Sequence, residues 1–380
     1  MKKLEQLVKQ LCPNGVERLK IGDVVSYEQP SKYIVTNTDY NDSFNVPVLT
    51  AGQTFVLGYT DEQNGVYPAS PKSPVIIFDD FTGAFKWVDF AFKVKSSAMK
   101  ILTTDGIKAT LRYVYHVMGN LNFSSTEHKR LWIGVYSEFT IPIPPLPVQE
   151  EIVRVLDTFT ELTAELTAEL TARRKQYEYY RDRMLTFDEN HPFAERLKEM
   201  CPNGVEKRSL EKCCNVLDSK RKPITKAARQ TGTYPYYGAN GIQDYVYDYI
   251  FDGNFVLVGE DGSVVTPSGN PVVNWSTGKI WVNNHAHIIE EKDGVSLRYL
   301  YHCLQTVNVS ALIHGNIPKL TGGDFRDIKV PIPPLSIQEE IVRILDQFES
   351  LCNDITSGLP AEIETRHKQY EYYRDRLLRF

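Results

Sequence analysis

Between positions 149 and 183, leucine, isoleucine and valine recur three and four residues apart, with charged residues between them and no proline or glycine, which predicts one long helix. Much of that stretch is written twice. QEEIVRVLDTF at 149 returns as QEEIVRILDQF at 338, and KQYEYYRDR at 175 returns unchanged at 368. In the second copy SGLP at 357–360 predicts two helical pieces, because Gly358 weakens the helix and Pro360 blocks its continuation. In the first copy Leu156, Leu162, Leu166 and Leu170 fall at steps of six, four and four. A four-residue step overshoots a turn by roughly 40°, so this stripe winds slowly, and it is expected to pack on a partner helix, with the second copy the nearest candidate.

The stretches between the helices alternate at strand period. VPVLTA at 46, TFVLGYT at 54, SPVIIFDD at 73 and KWVDFAFKV at 86 precede a helical stretch at 106–118. YPYYGANGIQDYVYDYIF at 234, FVLVGED at 255 and KIWVNNHAHII at 279 precede another near 297–309. Each block opens on a short helical pattern stopped by CPNGVE, at 12 and 201, and closes on a proline ramp, IPIPPL at 141 or VPIPPL at 330. Cys12 and Cys201, Pro142 and Pro331, and Gln149 and Gln338 are each 189 positions apart, whereas Lys175 and Lys368 are 193 apart. The second helical region therefore holds four extra residues, between Asp346 and Lys368.

The expected fold is α+β: two mixed α/β domains, at 1–148 and 189–337, separated by two long antiparallel helical, coiled-coil regions, at 149–188 and 338–380, with a pseudo-twofold internal repeat. About 35 helical residues span on the order of 50 Å, a rod able to hold two heads over separate parts of a duplex. The frames repeat nearly letter for letter while the blocks differ, which points to one shared docking task and two different recognition tasks. A duplicated enzyme would repeat its catalytic residues.

Composition narrows this further. A length of 380 residues favours two or three domains, and 42% hydrophobic content suffices for their cores. No run of about 18 apolar residues occurs and MKKLEQLVKQ lacks the apolar region of a signal peptide, so a cytoplasmic chain without membrane contact is expected. Six cysteines show no CxxC pair or zinc spacing. The net charge of −5 argues against a simple basic wrapper of nucleic acid, though not against local basic faces. No Asn-Pro-Pro-Tyr type methylation loop, no GxxxxGK[ST] phosphate loop and no nuclease metal cluster is present. His285 and His287 lie two apart on an expected strand, but no further ligands can be named, and a packing role is the better reading. Asp79 and Asp80 read as a strand-ending turn or, with other acids, a metal site. No metal site is expected.

The paired PIPPL…QEEIV…LD and KQYEYYRDR frames, the CPNGVE turns and the phrases YPYYGANGI and FVLVGEDGS resemble the specificity subunits of type I restriction-modification systems. The resemblance covers nearly the whole chain. It implies a non-catalytic subunit whose two target recognition domains each read one half of a bipartite, asymmetric site in double-stranded DNA. The helical regions then act as spacer and as platform for two methyltransferase subunits, which two restriction and translocase subunits join. S-adenosylmethionine, ATP and magnesium would belong to those partners, with no cofactor in this chain.

Base edges are read by Arg, Lys, Asn or Gln, and phosphates by Ser, Thr, Tyr or Lys. In the first block the candidates are Gln53, Lys72, Lys86, Lys93, Lys95, Ser96, Ser97 and Lys100; in the second they are Ser219, Lys220, Arg221, Lys222, Tyr236 and Tyr237. A solvated basic turn beside a tyrosine-rich strand is the alternative for the second set. For partner docking, duplication selects Gln149, Glu150, Arg154, Lys175, Tyr177, Tyr180 and Arg181, with their counterparts Gln338, Glu339, Arg343, Lys368, Tyr370, Tyr373 and Arg374.

Overall fold

The computed structural model describes residues 2–380 except 53, 122, 124–128, 263 and 355. Nine α-helices lie among the described residues: α1 Lys2–Leu11, α2 Leu111–Gly119, α3 Leu146–Leu185, α4 Ala194–Met200, α5 Leu210–Cys213, α6 Leu297–Leu304, α7 Gly322–Asp327, α8 Leu335–Asn353 and α9 Leu359–Leu377. The expected break in the second helical region separates α8 from α9. Asp354 caps it, accepting from the Thr356 amide (2.7 Å) and hydroxyl (2.6 Å). The chain forms two compact units, one of Met1–Thr167 with Ile363–Phe380 and one of Ala168–Glu362. Each unit thus contains one block, the start of the helix that follows it, and a KQYEYYRDR segment from the other helical region.

In the first unit strand Glu17–Lys20, just after CPNGVE, pairs antiparallel with Thr140–Ile143 of the proline ramp. A four-stranded sheet runs Ser26–Glu28, Met99–Thr103, Val75–Asp79, Phe85–Val88. A three-stranded sheet has Val46–Leu49 at its centre, antiparallel to Val56–Thr60 and parallel to Lys93–Val94. One core lies beneath α2 and the start of α3, around Ile76, Phe78, Tyr113, Trp132 and Ile152, and takes in Leu377 and Leu378.

The second unit repeats this plan. Lys207–Ser209 pairs with Lys329–Pro331. A single six-stranded sheet runs Asn215–Val216, Ala286–Glu290, Phe251–Gly259, Val273–Val282, Thr231–Gly238, Gly241–Val246. Its parallel step, Tyr236 opposite Trp281, corresponds to Val48 opposite Lys93. The ten-residue strand Val273–Val282 does the work that Phe85–Val88 and Lys93–Val94 divide in the first unit. The shared frame therefore extends into blocks whose sequences show little identity.

The leucine stripe is packed at one end only. Leu156 is buried, Leu166 and Leu170 are half-buried, and Leu162 is 37% exposed. Over this stretch threonines spend their hydroxyls on the helix itself: Thr163 donates to the Phe159 carbonyl (2.8 Å) and Thr167 to that of Thr163 (2.7 Å).

Candidate nucleic-acid interface

Two matching sockets receive the duplicated tails. The sequence LRYVYH forms α2 and LRYLYH forms α6, each capped by a hydroxyl, Thr110 or Ser296, that accepts from the third amide of its helix at 3.3 Å. In the first unit Arg112 Nε donates to Asp157 Oδ1 (2.8 Å), His116 Nε2 meets the same oxygen at 2.8 Å, and His116 Nδ1 meets the Tyr370 hydroxyl at 3.0 Å. In the second unit Arg298 and His302 hold Asp346 at the same 2.8 Å, and His302 Nδ1 lies 3.3 Å from the Tyr177 hydroxyl. Tails and sockets are thus matched residue by residue. Burial disfavours charge on Asp157, but His116 and Arg112 outweigh it and hold the carboxyl below its usual range. Burial likewise keeps His116 below the ordinary histidine value, with Asp157 opposing.

The sockets reassign several expected docking residues. Gln149 and Gln338 are fully buried and lock the ramp to the cap: Gln149 accepts from Thr110 N (3.0 Å) and donates to the carbonyls of Lys108 and Pro144 (2.8 Å each), and Gln338 does the same with Ser296, Gly294 and Pro333. Tyr177 is buried and Tyr370 half-buried against the histidines. Tyr180 stacks on Phe348 (5.3 Å between ring centroids) and Tyr373 on Phe159 (5.1 Å). Arg181 and Arg374 lie over the rings of Tyr177 and Tyr370, each at 5.7 Å, and pair with Asp182 and Asp375. These residues face inward because their side chains complete the sockets. Outward-facing and duplicated are Glu150 and Glu339, Arg154 and Arg343, and Lys175 and Lys368. Arg154 is tied to buried Glu151, whose carboxyl Arg154 and Lys3 hold at about 2. The most exposed tyrosines of the tails are Tyr179 (65%) and Tyr372 (59%), missed from the sequence although KQYEYYRDR contains them.

The candidate DNA residues also divide. Gln53 lies outside the described residues. Lys93 is buried, 2.8 Å from Glu62 and donating to the Asn64 carbonyl at 2.6 Å; burial opposes charge on Glu62, but Lys93 and donors from Asn37 and Thr36 bring its carboxyl to about 2. Lys100 is fully buried beside Asp80 at 2.9 Å, held by charge rather than by an aligned hydrogen bond. Neither lysine is placed to reach a phosphate, because each is itself buried and paired with a carboxylate, half-buried Glu62 or buried Asp80. Lys86 is half-buried, while Lys72, Lys95, Ser96 and Ser97 are exposed, with Lys95 over the Tyr40 ring at 5.8 Å. In the second unit Ser219, Lys220 and Lys222 are exposed. Arg221 turns inward to Glu260 (2.6 Å) and the Ala286 carbonyl (2.6 Å). Tyr236 and Tyr237 are buried; the Tyr236 hydroxyl accepts from Ile224 N at 3.1 Å. Tyr236 thereby supports the basic loop from below, and Tyr237 belongs to the core of the sheet.

Asp79 ends its strand by accepting from the amides of Phe81 (2.9 Å) and Thr82 (2.8 Å). His287 is buried between Asp218 (2.7 Å) and the Leu320 carbonyl (3.0 Å), stacked on Phe325. Among the described residues, Asp218, Glu260 and His287 form one group spaced for a cation, and His302, Asp346 and Glu349 another. Arg221 and Lys319 already neutralise the first and Arg298 the second, so these groups are ion-pair networks.

Two heads of unlike sequence on duplicated frames make a protein in which the frame is constant and the heads vary. The sequence matches the type I restriction modification DNA specificity domain twice, over residues 13–173 and 202–365. It is 41% identical, over all of this chain and 98% of the relative, to the specificity subunit of the type I restriction enzyme EcoR124I/EcoR124II of Escherichia coli. It is 43% identical to a putative type I specificity subunit of Haemophilus influenzae, over 50% of this chain and 49% of that one. The fold is similar to the crystal structure of the type I S subunit of M. genitalium (TM-score 0.65, 15% identity, 97% of each chain). It is also similar to a chain in a structural study of complex assembly and conformational transition in a type I system (TM-score 0.52, 16% identity, 97% and 98%). The chain belongs to the specificity subunits of type I restriction-modification systems.

Proposed function

We propose that this chain reads a bipartite, asymmetric site in double-stranded DNA, one half per unit, and assembles the enzymes that act there without doing chemistry itself. The observation that carries this is the contrast between matching sockets and heads of unlike sequence. Duplicated outward residues, Glu150/Glu339, Arg154/Arg343, Lys175/Lys368 and Tyr179/Tyr372, support two equivalent docking places, hence two methyltransferase subunits, with two restriction and translocase subunits joining them. On this reading S-adenosylmethionine, ATP and magnesium bind the partners, and the complex works in the cytoplasm. Among the described residues no helix is long and apolar enough to cross a membrane.

Single-molecule methylome sequencing of a host carrying the system tests the proposal. Methylated adenines in a two-part motif with a fixed gap are expected, vanishing when this gene is deleted. Methylation by the purified chain alone, or a single uninterrupted motif, would count against it.

A further inference from the structure

The loop at 219–230, SKRKPITKAARQ, carries five cations and no acid. Arg221 and Arg229 are consumed internally, Arg221 by Glu260 and Arg229 by Asp244 (3.2 Å). Lys220, Lys222 and Lys226 are exposed, and none forms an ion pair with a described residue.

Their backbone is held at several points. The Trp281 indole donates to the Lys222 carbonyl (2.6 Å), Lys222 N donates to Val282 O (3.3 Å), the Tyr236 hydroxyl meets Ile224 N, and Arg229 donates to Ile224 O (3.2 Å). Arg221, at the end of the short 3-10 turn Asp218–Lys220, turns inward, while its neighbours Lys220 and Lys222 are exposed. Solvated charge alone does not need a buried tyrosine, a tryptophan and two arginines spent on fixing a loop. Fixing does matter where cations must meet a ligand of set spacing, since preorganisation lowers the entropic cost of binding.

The corresponding segment of the first unit, 31–45, is built differently. It also begins Ser-Lys on a short 3-10 turn, but Lys32 pairs with Glu28 (2.9 Å), and Asp39 and Asp42 follow. Its amides are closed into turns by Asn37 and Asn41.

We propose that Lys220, Lys222 and Lys226 form a preorganised phosphate clamp through which the second unit supplies much of the complex's electrostatic hold on duplex DNA. This rests on the recognition reading above and adds where the salt-dependent part of binding resides.

The test measures affinity against salt for the chain assembled with its methyltransferase subunits, on a duplex carrying its methylation motif. Each phosphate contact contributes about 0.9 to the slope of log affinity against log salt, so K220Q/K222Q/K226Q should lower the slope by about 2–3, making the affinity loss between about 50 and 200 mM roughly 40-fold smaller. K198Q/K207Q/K212Q removes the same charge from exposed frame positions and should leave the slope unchanged. A loop variant with the wild-type slope, or a frame variant as flat as the loop variant, overturns the clamp. A wild-type complex that binds without preferring its motif defeats the recognition reading, yet the slope comparison on the same duplex still decides the clamp. A complex that does not bind DNA overturns both.

Discussion

The Tyr-His-Asp-Arg chain is the smallest unit repeated in this protein, and its two copies differ in one instructive place. Glu349 accepts from Arg298 (2.6 Å) and from the Tyr301 hydroxyl (2.6 Å), whereas Thr160, at the corresponding position, turns its hydroxyl to the Leu156 carbonyl. The first socket is therefore the less buttressed. Tyr370→Phe and Tyr177→Phe each remove one partly or fully buried hydrogen bond and are expected to cost about 0.5–1.5 kcal/mol in denaturant unfolding. The first socket is also acid-sensitive. Above the ordinary histidine value of 6.5 neither the folded nor the unfolded chain protonates His116. As pH falls below it, the unfolded chain takes a proton that the buried ring resists, so stability drops until the folded value is passed. Asp157 acts in the same sense at lower pH, since its contribution is lost as pH falls through its depressed value. His116→Asn should lower stability at pH 8 but flatten its decline between pH 7 and 5; an unchanged decline would show that the ring is not buried neutral.

At the scale of elements, α3 and the α8–α9 pair solve one problem in two ways. The Thr-Ala-Glu-Leu stretch keeps α3 continuous with polar side chains that bond back to the helix. The second copy instead breaks at Asp354 and restarts at Leu359, where Pro360 in the first turn costs little. Gly358 is wedged there: a β-carbon would lie 2.6 Å from the Ser350 carbonyl oxygen and 2.8 Å from those of Leu351 and Asp354. Gly358→Ala should therefore destabilise by about 1–3 kcal/mol, read from the unfolding midpoint. Adding one Thr-Ala-Glu-Leu unit to α3 lengthens that helix by ~6 Å, and methylome sequencing should show the gap of the motif widened, by about two base pairs if the length is fully transmitted. An unchanged gap would rule out this helix as the spacer.

These elements were the most legible part of the chain, because helical period, the proline ramps and SGLP act locally and leave marks in sequence. The sockets were not. The likeness of LRYVYH to LRYLYH went unused in reading the sequence, and His116 acquires its meaning from Tyr370, 254 positions away, with no period to connect them. Lys93 and Lys100 misled for a related reason, since a lysine in a strand looks the same in sequence whether or not Glu62 or Asp80 awaits it. The arrangement Phe92-Lys93-Val94, a cation between buried apolar neighbours on a short strand, was the available warning.

For the whole molecule, the units cut across chain order. Leu377 and Leu378 belong to the core of the unit that begins at the other end of the sequence, and Tyr370 and Tyr373 pack against it. Deleting residues 363–380 should therefore loosen residues 1–167 and leave 168–362 protected, as hydrogen exchange resolved by peptide would report. Loss of protection confined to the second unit would contradict this division.

Because the socket helices α2 and α6 lie inside the blocks, the boundary of an exchangeable head is not the proline ramp. A recombination event that replaced everything up to Pro142 would import a foreign helix and with it a foreign grip on the tail. One that crossed over before Leu111, or before Leu297 in the second block, would change the reader and keep the grip. Viable new specificities should therefore arise from crossovers upstream of those two leucines, which makes a pair of short helices the gatekeepers of how such a gene diversifies.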